Sequence, residues 1–106
     1  MLQRDIEIAE TFKALVSKRT KVHEVKVFGS RARGDSSPYS DMDVLVVLDG
    51  TPDDKTADYI SDCAWEAGFE FGVVVVPVVF SLDEWQNSPE RFSLLAQAVE
   101  KEGVLV

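Results

Sequence analysis

Between residues 3 and 19 the apolar side chains fall at Ile8, Phe12 and Leu15, with Ala9 and Val16 beside them. That period makes one face of a helix. Residues 22 to 29, VHEVKVFG, read as a first strand that stops at a glycine, and residues 41 to 49, DMDVLVVLD, as a second. A helix start follows at TPDD, with Thr51 as the cap, Pro52 at the first helical position and acids suited to the positive end of the dipole. Ala57, Ile60, Ala64 and Ala67 are its expected buried face, and Gly68 its end. Residues 69 to 80, FEFGVVVVPVVF, read as a third strand, in which Pro77 marks an edge or a bend. Ser81 and Glu84 have the spacing of a capping box, and Ser88-Pro89 restarts the helix. Phe92, Leu95, Ala96 and Val99 supply the apolar face of that last helix, which Gly103 closes. The order α-β-β-α-β-α predicts an α/β (α+β) fold, a small mixed sheet flanked by helices, built as one domain over residues 1–106.

Composition narrows the function. The 106 residues carry 19 acidic and 11 basic side chains, a formal charge of −8, which argues against strong nonspecific binding to nucleic acid. It suits a basic partner, or one that arrives with metal ions. A lone Cys63 excludes an internal disulfide and a cysteine-based zinc site, and is expected to pack in the core. His23 has no second histidine or cysteine with which to form a ligand set. Trp65 and Trp85 are expected to pack rather than to bind a ligand. The first ten residues have no apolar core of signal-peptide length, and the longest apolar run, residues 73–80, is too short to cross a bilayer. No membrane association and a cytoplasmic location are therefore expected.

The chemistry concentrates in residues 27 to 47, VFGSRARGDSSPYSDMDVLVV. Along a strand, Asp41, Asp43, Leu45 and Val47 share one face, and Met42, Val44, Val46 and Leu48 the other. Residues two apart on a strand have α-carbons about 6.6 Å apart, so the two carboxylates can converge on one or two cations. Hard divalent ions such as Mg²⁺ take oxygen ligands and bring phosphates with them. The upstream Gly29 ends a strand without a side chain, and Ser30 offers a hydroxyl beside backbone N–H groups at a turn, the kind of place where phosphate oxygens are cradled. Arg31 and Arg33 add positive charge, either as phosphate contacts or as surface arginines paired with Asp35. Gly34 is a turn glycine, and Tyr39 lies in a loop where it can reach a base.

Gly29-Ser30, ten intervening residues, then Asp41-x-Asp43 resembles the nucleotidyltransferase superfamily related to DNA polymerase β. The fuller string GSRARGDSSPYSDMDVLVV is similar to its minimal branch, the MNT proteins. The resemblance implies that Ser30, with Gly29, binds nucleotide phosphates and that Asp41 and Asp43 bind catalytic metals, two Mg²⁺ ions. It implies transfer of AMP from ATP, or of another nucleotide from its triphosphate, to a hydroxyl. It further implies a small helical HEPN-domain partner, toward which the nucleotidyltransferase acts as antitoxin, in some systems by adding AMP to a tyrosine of the toxin. Polymerase-type transfer uses a third acid on a neighbouring strand. Here Glu70 and Gly72 share a face if residues 69 to 80 are one strand, so Glu70 either reaches inward as that acid or stays solvated at the strand start.

The short chain leaves little material for walls around base and ribose, so a partner subunit or a second copy is expected to provide them. Three other functions remain to be separated. An MNT-fold antitoxin without catalysis would neutralise its partner by binding alone. A transferase acting on a small molecule would need an acceptor pocket, and a general polymerase a basic face.

Overall fold

The computed structural model describes residues 1–34, 40–87 and 93–106. Helix α1 (Gln3–Ser17) leads into strand β1 (Val22–Phe28), a single short turn of helix α2 (Ser30–Arg33), strand β2 (Met42–Leu48) and helix α3 (Asp54–Phe69). Strand β3 (Val75–Ser81), helices α4 (Leu82–Gln86) and α5 (Ser93–Glu102) and a two-residue strand β4 (Val104–Leu105) complete it. The sheet order is β3-β2-β1-β4. β1 lies antiparallel to both β2 and β4, whereas β2 and β3 run parallel, so the sheet is mixed as expected. β3 lies at one edge, where Pro77, having no N–H to give to a ladder, is tolerated.

Alternation along β2 builds two unequal layers. Met42, Val44, Val46 and Leu48 turn toward α1 and α3, where Ile8, Phe12 and Val16 from α1 and Ile60, Cys63 and Ala64 from α3 bury them almost completely. Burial pushes the Cys63 thiol above its ordinary pKa, in keeping with a packing role. Leu45 and Val47 turn the other way and join Phe80, Val99, Leu95 and Trp85 in a smaller cluster under α4 and α5. Trp85 packs there against Phe80, ring centroids 5.4 Å apart. Trp65 stacks on Phe69 at 4.7 Å on the surface, where it is 68% exposed.

Several element ends differ from the sequence reading. The cap of α3 is Asp53, whose carboxylate accepts the Thr56 N–H at 2.8 Å, so the helix starts after Pro52 and Thr51 plays no capping part. Ala57 is exposed, and Tyr59 and Ile60 occupy the inward face near that end. Gly68 sits inside α3 rather than ending it. A Cβ there would stand 1.9 Å from the Val73 carbonyl oxygen, because the chain folds back across the helix and the Val73 N–H donates to the Gly68 carbonyl at 3.0 Å. Residues 69–74 therefore form a helix end and a turn, and β3 begins only at Val75. The capping box at Ser81 and Glu84 is present in both directions, at 3.1 and 3.0 Å. The restart at Ser88-Pro89 and the expected contact of Phe92 lie outside the described residues. β4 had no signal, since two residues are too few for a period, and α2 is a single turn hidden in what reads as loop.

Candidate functional site

Two segments that are twelve residues apart in sequence meet at one end of the sheet. Phe28, the last residue of β1, pairs with Asp43 of β2. The chain then leaves the sheet at Gly29 with φ +78°, a conformation that favours glycine. A Cβ on Gly29 would stand 2.6 Å from Oδ2 of Asp43, so the backbone of the Gly29-Ser30 turn rests directly against that carboxylate. Asp41 lies one residue before β2 and is exposed; Asp43 is half-buried. Burial first, then the negative charge of Asp41, holds the Asp43 carboxyl above its ordinary value of 3.8. A cation is the kind of group that would relieve this crowding of negative charge.

The two arginines of the motif part company. Arg31 is 1% exposed, and its guanidinium is committed to protein. Nη1 donates to Asp5 Oδ1 at 2.8 Å, and Nε and Nη2 both donate to the Ser40 carbonyl, at 2.9 and 2.7 Å. It is therefore neither the phosphate contact nor the surface arginine that the sequence suggested. Burial of a guanidinium requires this degree of satisfaction. Arg33 pairs with Glu102 Oε2 at 3.0 Å on the surface, and solvent reaches its side chain. Asp35 and Tyr39 lie outside the described residues.

Glu70 does not stand where the strand reading put it. It is the exposed C-cap of α3, before the turn that contains Gly72, so strand alternation cannot bring it inward. The β3 residue level with Asp43 is Val76, 36% exposed. The position that a third strand acid would occupy beside Asp43 is apolar. Among the described residues no three His, Cys, Asp or Glu side chains gather as a metal cluster. A cavity of about 580 Å³ forms an apolar groove between α3 and the β3 edge, lined by Trp65, Phe69, Val74 and Val76 among others, with no titratable side chain in its lining.

Sequence reasoning missed Asp5. A signal existed: Asp5 lies three residues before Ile8 and four before Ala9, on the apolar stripe of α1, where a charge calls for a buried partner. The partner's identity had no such signal.

The family model for the nucleotidyltransferase domain matches residues 7–104. The chain belongs to the nucleotidyltransferase domain family. Two proteins of Methanocaldococcus jannaschii, each named "Putative protein adenylyltransferase", are similar to this nucleotidyltransferase along most of their length. One is 34% identical over 99 residues, covering 92% of this chain and 93% of the relative. The other is 32% identical over 91 residues, covering 77% and 92%. Among solved structures, a chain of a toxin–antitoxin complex with AMP-PNP superposes with a TM-score of 0.66 at 19% identity, covering 98% of this chain and 72% of that one. A chain of the complex between a tri-AMPylated Shewanella oneidensis HEPN toxin and its MNT antitoxin gives 0.59 at 18% identity, covering 97% and 71%. These neighbours share the fold, that of the polymerase β-like nucleotidyltransferases.

Proposed function

We propose that this nucleotidyltransferase moves AMP from ATP to a hydroxyl on a partner protein of the HEPN type, and in doing so acts as its antitoxin. The observation that carries the reading is the contact between the Gly29 backbone and the Asp43 carboxylate, which joins a phosphate-binding turn to an acid pair. The names of the two archaeal relatives support a protein acceptor, and the AMP-PNP and AMPylated-toxin complexes support the nucleotide and the kind of partner.

Asp41 and Asp43 would hold Mg²⁺. The residues fit that ion: Mg²⁺ is commonly bound by one or two carboxylates completed by substrate phosphates, and here the Asp43 carboxylate lies against the Gly29 backbone with Asp41 two residues before it in the chain. When bound, Mg²⁺ supplies charge stabilisation at the entering and leaving oxygens. Gly29, lacking a side chain, lets phosphate oxygens approach the backbone, and the Ser30 hydroxyl and nearby amides orient the triphosphate. Arg33 is the arginine of the motif that solvent, and hence a phosphate, can reach. The acceptor oxygen attacks the α-phosphorus and the bond to the β-phosphate oxygen breaks. Pyrophosphate leaves, and the hydroxyl proton passes to solvent water. With Val76 beside Asp43, β3 contributes no acid at this level, and Glu70 is the C-cap of α3 rather than a residue of that strand. The partner, or a second copy of the chain, completes the walls around the base.

A second reading has its own support. The apolar residue at position 76 favours an antitoxin that neutralises by binding alone. Incubation of the purified pair with α-labelled ATP and Mg²⁺ separates the two. Label on the partner, lost with Asp43→Asn, is expected. An unlabelled partner that is inhibited equally by wild type and by Asp43→Asn selects the binding-only antitoxin.

A further inference from the structure

Arg31 follows Ser30 directly in the chain, and the carbonyl it grips belongs to Ser40, directly before Asp41. One buried guanidinium thus touches the last residue before the acid pair while its own backbone follows the turn that rests against Asp43. A further bond anchors the arrangement to Asp5 on α1. Both members of the pair are at most 2% exposed in their side chains.

Buried ion pairs are poor devices for stability alone, because desolvation offsets much of the attraction and apolar replacements of equal volume often serve as well. They are effective at fixing one geometry, since a displaced partner leaves a buried charge unsatisfied. The Arg31 fork is rigid and planar and takes one carbonyl with two N–H groups, which lysine cannot reproduce.

We propose that Asp5 and Arg31 form a clamp that sets the distance between the Gly29-Ser30 turn and the Asp41/Asp43 pair, making Arg31 and Asp5 positioning residues for nucleotide binding and transfer. The inference rests on the nucleotide reading of that site, but the clamp itself is testable without nucleotide. Asp5 meets the motif at Arg31, from a different element than the turn or the acid pair, so the clamp transmits a change at Asp5 to both.

The experiment compares wild type, Asp5→Asn, Asp5→Glu and the double variant Asp5→Leu/Arg31→Met. Amide NMR of the free proteins comes first. In Asp5→Asn, which keeps the shape and one acceptor, the amides of Gly29, Ser30, Ser40 and Asp41 are expected to move in a protein whose spectrum is otherwise that of the folded chain. Asp5→Glu, which keeps the charge, should restore part of the shift. Changes confined to α1 overturn the clamp, whatever the site binds.

Binding of Mn²⁺ alone and of Mn²⁺ with ATP is then measured on each folded variant. Mn²⁺ alone should bind within about twofold of wild type, while affinity for the metal–nucleotide pair falls on the order of 10-fold to 100-fold, the scale on which supporting residues act. Equal weakening of both, or of neither, overturns the proposal. If wild type binds no Mn²⁺–ATP, the nucleotide reading fails instead, and the free-protein spectra still decide the clamp.

Discussion

The two faces of this sheet are built from one strand and behave as opposites. On the α1/α3 face, β2 contributes Met42, Val44, Val46 and Leu48 to a core closed along its whole length. On the other face the same strand begins with a half-buried acid at Asp43 and reaches apolar cover only from Leu45 onward. The covering helices explain the difference. Among the described residues, α1 and α3 have 15 and 16 residues, whereas α4 has 5 and α5 has 10. The lesson is that stability and chemistry are separated by side-chain parity: a step of one residue along β2 passes from the core to the site.

Neighbouring substitutions break that comparison most directly. Val44→Asp places an unpaired carboxylate in the closed core and is expected to cost more than about 4 kcal/mol, in effect unfolding the domain. Asp43→Val, one residue away, should leave Tm unchanged or raised, because it removes a carboxylate that burial and Asp41 already disfavour. Its transfer activity and Mg·ATP binding should fall to background. Thermal melts set beside nucleotide titrations check both, and a Val44→Asp protein that melts like wild type would end the argument from parity.

Gly68→Ala sharpens the contrast from the closed side. The added methyl meets the backbone carbonyl of Val73, which cannot swing away as a side chain would, so a loss of about 1–3 kcal/mol is expected in urea denaturation. Ser81→Ala tests the thinner side by removing one arm of the capping box of α4, at a cost of about 1 kcal/mol by the same assay.

The smallest effect is on pH. The Thr56 N–H holds the Asp53 carboxyl below its ordinary value of 3.8, so the stability it adds is complete above that value and disappears as pH falls through the lower native one. Asp53→Asn keeps a capping oxygen but cannot titrate. Its Tm should follow a flatter course than wild type below about pH 4, and parallel curves would dismiss the cap's contribution.

Periodicity alone was enough for β1, β2, the two long helices and the parity of β2, because each rests on a period that any copy of that stretch carries. It also placed Gly29, Ser30, Asp41 and Asp43 in one motif, since their spacing and strand context are local. Glu70 failed for a tertiary reason. The helix could run on to Phe69 because Gly68 lets the backbone at Val73 cross it, and that crossing is invisible in residues 69–74 alone. β4 likewise exists only because β1 offers it an edge.

Arg31 shows the division most clearly. Its neighbours in the chain mark it as a cation beside a phosphate turn, and only the packing of α1 brings Asp5 within 2.8 Å and takes that charge out of solvent. Periodicity can tell a buried position from an exposed one. Which charges meet across 26 residues is decided by the fold, because a buried ion needs a partner at hydrogen-bond distance and the chain's order does not specify distances in space.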